Sequence, residues 1–420
     1  MAGGPARLWR NPAFLLLWLG QTVSLFGSQV TAVALPLTAT LALGAGAAEL
    51  GVLGALQTAP FLVVGLAAGV LVDRARRRPL LVAVDLGRAL LLGSIPLAWA
   101  LGGLGLGQLY AVGLFAGALR IVFSVAYSAY LPTVVARAQL VEGNSKLGVS
   151  AATAEVAGPG LGGALVALVT APVAIAVDAA SYLVSALSLA LIREPEAPPG
   201  RPAGRPRLWA EAREGLAVVW RQPALRALAG YSALMNFFFQ AIHAIFVLFV
   251  TGTLGLSPAL FGAILTGSSA GGVLGALLVP GLTRRFGPGP ALLVAAGCYG
   301  AGALTIPLAA GGPWRAAGTL LAAWGLIGVG NGLSNIVGVS LRQLLTPDHL
   351  LGRVSASGMA VGWSAAPLGA LLGGMLGQSV GLRAALLLAA LGTLTGVLWL
   401  ACSPVRTLRE PPPPVDRQAP

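Results

Sequence analysis

The sequence is dominated by long apolar runs separated by short punctuation of Gly, Pro and Arg. A bilayer core about 30 Å thick demands roughly 20 largely apolar residues per spanning helix. Twelve runs meet that demand, from Ala13–Leu41 to Ala384–Ala401. In hydrocarbon every backbone N–H and C=O must be satisfied internally, so only helices and closed barrels span a membrane. Barrel strands alternate in polarity over segments of about ten residues, whereas these runs are continuously apolar. The sequence therefore predicts an all-α integral membrane protein of twelve transmembrane helices. With 56% hydrophobic and only 9% charged residues, and a mean hydropathy of +0.85, nothing is left to make the surface of a soluble domain. The first run follows Arg7 and Arg10 without a small-residue cleavage site, so it reads as the first span and not as a removable leader.

The net charge of +13 does not mark a nucleic-acid binder, because the basic residues are distributed by loop. Those at Arg7 and Arg10, Arg74 to Arg78, Arg137 and Lys146, Arg193 to Arg221, Arg284 and Arg285, Arg342 and Arg353, and the tail fall on one side; the opposite loops carry only Arg315 and Arg383. The positive-inside rule then puts both termini in the cytoplasm of an inner-membrane protein. Cys298 and Cys402 lie in apolar runs and suit packing, with no disulfide or metal site expected. Gly267-Ser268-Ser269-Ala270-Gly271 fits G-x-S-x-G, but inside an apolar run and in a chain whose histidines are His243 and His349 alone. No Walker motif is present, so ATP is not the expected energy source, and neither an enzyme activity nor a cofactor is expected.

An internal repeat sets the architecture. Trp9-Arg10-Asn11-Pro12-Ala13 returns as Trp220-Arg221-Gln222-Pro223-Ala224, an offset of 211 residues that also maps Leu43-Gly44 to Leu254-Gly255, Gly51 to Gly262 and Gln29 to Gln240. The expected organisation is a six-helix half at 1–192, a linker at 193–222 with an interfacial helix (apolar side Leu208, Trp209, Leu216 and Trp220), a second half at 223–403 and a disordered tail at 404–420, including Pro411 to Pro414. Two same-orientation six-helix bundles are a common transporter plan.

Between the second and third runs stands Gly69-Val70-Leu71-Val72-Asp73-Arg74-Ala75-Arg76-Arg77-Arg78, which resembles the signature G-x-L-a-D-R-x-G-R-K of the major facilitator superfamily, with Arg76 in place of Gly. The resemblance implies a cytoplasmic latch built on Gly69, Asp73, Arg74, Arg77 and Arg78; a plain positive-inside loop is the alternative. In the fifth run, Gly158-Pro159-Gly160-Leu161-Gly162-Gly163 resembles the pattern of the superfamily's exporters, though Ala154 stands at its upstream glycine. Small residues permit close helix approach and Pro loosens the backbone ladder, so Gly158, Pro159, Gly162 and Gly163 read as a hinge or as close packing. With Phe123 to Pro132, the Asn144 region and Val177 to Tyr182, the chain is similar to the drug, macrolide and siderophore efflux branch.

Charges in hydrocarbon cost at least about 2.5–3.5 kcal/mol, so embedded ones are functional candidates. Asp85 and Arg88, at i and i+3, read as an extension of the latch network. Glu155 and Asp178 read either as proton carriers, if burial favours their neutral form, or as salt-bridged groups, Arg120 being a partner. The offset sends Asp85, Arg120, Glu155 and Asp178 to Ala296, Asn331, Ala366 and Ala389, so charge coupling belongs to the first half.

The resemblance implies a cavity lined by helices one, four, seven and ten. Gln21, Ser24, Ser28 and Gln29, Arg120 and Tyr127, Asn236, Gln240 and His243, and Asn331 and Asn335 are its candidate polar residues, or else partners in interhelical hydrogen bonds. Phe123, Tyr127, Phe238 and Trp324 would supply aromatic walls. The expectation is a monomeric, proton-coupled exporter of small drug-like amphipathic molecules, with the lipid bilayer as its other partner. A siderophore or metabolite exporter and a non-transporting receptor or scaffold are the alternatives.

Overall fold

A computed structural model describes residues 8–194, 196, 208–347 and 350–409. Arg7, His349, Pro411 to Pro414, most of the Pro- and Arg-rich stretch after Arg193, and the side chains of Asp73, Leu208 and Trp209 lie outside the described residues. The described chain is helical: α1 (Pro12–Leu37), α2 (Ala47–Thr58), α3 (Pro60–Arg74), α4 (Arg77–Ala100), α5 (Leu106–Val134), α6 (Leu140–Val169), α7 (Ala171–Leu191), α8 (Leu208–Arg221), α9 (Pro223–Leu248), α10 (Pro258–Phe286), α11 (Pro288–Thr305), α12 (Pro313–Leu345), α13 (Leu351–Ser364), α14 (Ala366–Ser379) and α15 (Leu382–Ala401). Eleven helical segments among the described residues are long and apolar enough to cross a membrane, α13 and α14 counting as one. The remaining apolar run of the sequence is α2 and α3, which meet at Ala59.

The 211-residue repeat extends far beyond its sequence signature. Helix starts pair at that offset as Pro12 with Pro223, Ala47 with Pro258, Arg77 with Pro288, Leu140 with Leu351, and Ala171 with Leu382. Proline at a helix start is favoured because its missing N–H would have no intrahelical acceptor there. Both α1 and α9 end in a five-residue π-turn, Thr38–Ala42 and Phe249–Thr253. The Thr40 hydroxyl donates to the Pro36 carbonyl at 3.1 Å and the Thr251 hydroxyl to the Val247 carbonyl at 2.8 Å, again 211 residues apart. Each turn closes on a glycine in the left-handed region, Gly44 at φ 65° and Gly255 at φ 63°, where a Cβ would be strained.

The α6–α7 turn breaks the pattern in one residue. Thr170 sits at φ 95°, ψ 155°, and its repeat partner Gly381 at φ 87°, ψ 155°. That region is tolerated almost only by glycine and costs other residues about 1–3 kcal/mol.

Contacts divide the chain into two compact units, Met1–Ala45 with Pro60–Pro206, and Gly46–Ala59 with Arg207–Pro420. The repeat places α2 in the first half, but it packs with α14 and α9 in the second unit. The reason is backbone proximity: a Cβ on Gly51 would lie 2.8 Å from the Ala370 carbonyl oxygen and 2.8 Å from the Gly374 Cα. Residues 46–59 thus belong to the first repeat by sequence and to the second compact unit by contact.

Within the second unit α10 and α12 pack backbone to backbone. A Cβ on Gly271 would overlap the Gly325 carbonyl, one on Gly275 the Val329 carbonyl, and one on Gly328 the Ser268 carbonyl. The stretch that fits G-x-S-x-G is thus part of a packing seam. Helix α8 lies on α13, with a Cβ on Gly215 placed 2.5 Å from the Arg353 carbonyl and Arg353 paired to Glu214 at 2.6 Å. It buries Val219 and leaves Leu216 and Trp220 exposed. The tail expected to be disordered from 404 is ordered through Arg409: Val405 is buried, and the Gly289 N–H donates to the Leu408 carbonyl at 3.0 Å.

Three outcomes are expected in thermal unfolding of the detergent-solubilised protein. Thr170→Gly removes the strained backbone and stabilises by about 1 kcal/mol. Gly271→Ala destabilises by about 1–3 kcal/mol through overpacking, whereas Gly338→Ala, which meets nothing within 4 Å, is neutral or stabilising.

Candidate functional site

The first unit buries a charged cluster between α1, α4 and α7. Asp85 and Asp178 are both 0% exposed and Arg88 is 7% exposed. Arg88 pairs with Asp85 at 3.8 Å, stacks over the Tyr182 ring with its guanidinium carbon 3.8 Å from the ring centre, and donates to the Tyr182 hydroxyl. Phe123 of α5 closes the other side at 5.8 Å. The Tyr182 hydroxyl also meets Ser28 of α1 at 2.7 Å. Ser181 donates to Asp178 Oδ1 at 3.0 Å, and the Thr31 and Ser185 hydroxyls lie beside Asp178 and Asp85.

What lets these groups converge is a close seam of α1 on α7. A Cβ on Gly20 would lie 3.0 Å from Ser188 Cβ, and one on Gly27 would overlap Ser181 Oγ and come 2.5 Å from Asp178 Oδ1. Ser24, Ser181, Ser185 and Ser188 are all buried along this seam. Asp85 and Arg88 thus join Asp178 and Tyr182 inside the unit and do not extend the loop network, because their face of α4 packs on α7.

The basic loop is occupied otherwise. Glu196 accepts from the backbone N–H groups of Arg77 at 2.6 Å and Arg78 at 3.2 Å, capping α4 with a carboxylate where the helix dipole favours negative charge. Arg77 donates to the Ala129 carbonyl at 3.0 Å, and Arg78 to the carbonyls of Leu189, at 2.9 Å, and Ala190. These arginines therefore clamp the ends of α5 and α7. Arg74 is exposed and Gly69 half-buried.

Glu155 is exposed on α6, so the burial on which a proton-carrying role rests is missing there. Arg120 is exposed, rests over Phe61 at 5.5 Å and forms no ion pair among the described residues. Gly158, Pro159, Gly162 and Gly163 are buried in an unbroken α6. A Cβ on Gly158 would overlap the Gln29 side chain, and one on Gly162 would lie 3.1 Å from the Val30 Cα. Gln29 consequently packs against α6.

A cavity of 380 Å³ opens beside this seam, with Gln21 of α1, Tyr127 of α5 and Asn144 of α6 as polar lining among Leu25, Leu131 and Leu140. Tyr127 stacks on Phe123 at 5.8 Å, and neither its hydroxyl nor Gln21 Oε1 has a partner. In the second unit His243 is exposed and stacks on Phe239 at 5.5 Å, Asn331 and Asn335 are exposed, and Gln240 is half-buried. Asn236 donates to the Ser232 carbonyl of its own helix at 2.9 Å. Trp324, read as a cavity wall, is instead a core residue, 2% exposed and 4.9 Å from Phe246. Phe238 likewise packs where Gly392 leaves room for its ring.

The sequence profile described as Major Facilitator Superfamily matches residues 17–356 and 232–420. The chain belongs to the major facilitator superfamily, and it is a multi-pass membrane transporter. It is 27% identical over 393 residues to "Multidrug efflux pump Tap" of Mycolicibacterium fortuitum, covering 92% of this chain and 94% of that one. Its fold is shared with a bacterial homologue of the iron transporter ferroportin (TM-score 0.75, 17% identity, 94% and 99% covered). The nucleoside transporter NupG is a second match (TM-score 0.73, 13% identity, 93% and 98% covered).

The carboxylate cap at Glu196 supports one expected outcome. Glu196→Ala loses two backbone hydrogen bonds at the α4 start and destabilises by about 1–2 kcal/mol, read as a lower unfolding midpoint.

Proposed function

We propose that this transporter is a proton-driven exporter of small amphipathic, drug-like molecules that works by alternating access. The observation that carries the proton coupling is Asp178, an acid wholly buried in a membrane-spanning helix, with only the hydroxyls of Ser181 and Thr31 beside its carboxylate. An ionised group so placed is costly, which favours proton uptake when the site is closed to water. The cavity beside α1 and α5 supports the cargo class: two amides and a phenol set among leucines suit a ligand with an apolar body and few polar groups. Similarity to a multidrug efflux pump over nearly the whole chain supports export.

In this reading the protein is a monomer in the inner membrane, and the distribution of its basic loops supports a cytoplasmic position for both termini. The arginine-rich loop after α3 then contributes to closing the cytoplasmic side, with Asp73 as its acidic member. Gly158 and Pro159 serve as the flexing point of α6.

The test is efflux of a fluorescent cationic dye from energised cells, or from reconstituted vesicles with an imposed pH gradient. Wild type drives efflux in proportion to the gradient. Asp178→Asn abolishes the gradient-driven component, at least tenfold, and Glu155→Gln retains it. Wild-type vesicles that move no dye under any gradient would overturn the exporter reading.

A further inference from the structure

We propose that a pocket at the loop ends of α10 and α12 binds an acidic phospholipid, with its phosphate held by Arg284 and Arg409 and its apolar part lying against α12. The site is independent of the exporter reading and shares with it only the orientation, in which the basic loops put these helix ends on the cytoplasmic side.

The pocket lies wholly within the second unit and has a volume of about 330 Å³. Arg284 of α10, Arg409 of the segment after α15 and Ser340 of α12 supply polar lining, and Val337, Leu341 and Leu344 supply the apolar wall. Thr283 also reaches the pocket, but its hydroxyl already donates to the Val279 carbonyl at 2.7 Å. Among the described residues the Ser340 hydroxyl has no hydrogen-bond partner, and Arg284 and Arg409 form no ion pair. Two full positive charges and a free hydroxyl therefore share one recess with no anion to meet them.

Backbone contacts hold Arg409 in place. A Cβ on Gly287, at φ 89°, would lie 2.5 Å from the Arg409 Cα, and one on Gly289 would overlap the Val405 carbonyl. The Gly289 N–H donates to the Leu408 carbonyl at 3.0 Å. The segment after α15 is thereby clasped to the start of α11, which brings its arginine to the same pocket as Arg284.

The repeat shows what the second unit lacks. In the first unit the corresponding corner is filled by the chain itself: Arg77 donates to the Ala129 carbonyl, and Glu196 brings a carboxylate to the N–H groups of Arg77 and Arg78. The offset of 211 turns Arg77 into Pro288, Ala129 into Ser340, Glu196 into Thr407 and Asp73 into Arg284. The side chain that plugs the corner is gone, and so is the carboxylate that balances it. An acid of the first loop has also become a further arginine. The start of α11 keeps a hydrogen-bond acceptor, but it is now the neutral Leu408 carbonyl and brings no charge. Asp348 and Glu410, the acids nearest in sequence, lie outside the described residues.

Guanidinium forks match the oxygens of a phosphate, and basic pockets between transmembrane helices on the cytoplasmic side suit acidic headgroups. The apolar wall favours a lipid over a free phosphate. Ile336, one turn back along the Ser340 face of α12, is 40% exposed, so apolar surface continues from the pocket along the helix.

The test is equilibrium binding of a short-chain fluorescent phosphatidylglycerol to the purified full-length protein in detergent, followed by anisotropy. Phosphatidylcholine with the same chains is the comparison and inorganic phosphate the competitor. Phosphatidylglycerol is expected to bind at least tenfold more tightly than phosphatidylcholine. Arg284→Gln and Arg409→Gln each remove that preference, and Ser340→Ala lowers it a few-fold. Arg285→Gln leaves it unchanged, because Arg285 rests over Phe286 and does not line the pocket. Arg284 and Arg409 are both exposed, so their replacement spares the fold; if one variant fails to fold, the other decides. A preference that survives both arginine changes, or that Arg285→Gln reduces as much, belongs to the general basic surface and overturns the site. Full displacement by millimolar inorganic phosphate makes the pocket a free-anion site and overturns the lipid assignment. So does a wild type without any preference, and a preference that then appears in Asp348→Asn or Glu410→Gln names the chain's own acid as the occupant. Binding is read without gradient or cargo, so its failure leaves the exporter reading standing, and failed dye efflux leaves the lipid site standing.

Discussion

Helices in hydrocarbon gain almost nothing from hiding apolar surface, since lipid is as apolar as leucine, so contact must come from close packing. In this chain that condition is met where glycines let backbones touch. Gly271, Gly275 and Gly328 join α10 to α12, Gly20 and Gly27 join α1 to α7, and Gly51 meets Gly374 across α2 and α14. The same closeness that holds the bundle together also shapes the site. Without the bare Gly27 backbone, Ser181 and Asp178 would have no room on the α1 side of α7.

The duplicated architecture makes the first unit's charges informative. Helix starts, π-turns, threonine hydrogen bonds and left-handed glycines recur 211 residues apart, so the two repeats answer to the same structural rules. The charged cluster is not among those rules. Ala296 and Ala389 fill the corresponding places and are buried in a packed core, which shows that the fold stands without acids there. Burying two carboxylates and an arginine in the other repeat is a cost that stability alone does not explain, and function is the natural reason for it.

Much of this was legible in the sequence because it depends on local chemistry. Continuous apolar runs dictate helices, Pro12 and Pro223 mark their starts, and the Gly44 and Gly255 correspondence exposed the repeat. What could not be read depends on how helices rotate and which ones touch. Glu155 and Asp178 look alike as single acids in apolar runs, but one helix turns its acid outward and the other buries it. The i, i+3 spacing of Asp85 and Arg88 was visible, while their meeting with Tyr182 and Asp178, on a helix some 90 residues later, required the packing of α4 on α7. Glu196 stood in a Pro-rich stretch that gave no sign of a helix cap, and Trp324 read as a wall when its neighbours make it core.

The allegiance of α2 has a temporal side. It is synthesised early, yet α14, the helix that receives Gly51, leaves the ribosome roughly 300 residues later, a delay of about 15–60 s at ~5–20 residues per second. During that interval α2 resides in the membrane with its glycine face uncovered, and the connection through Ala59 to α3 must let it wait. The nascent first repeat is therefore an open intermediate that only the last fifth of the chain completes. A defect near Ala370 would then show itself as degradation of a nearly finished protein, with the damage felt at a helix made almost a full chain earlier.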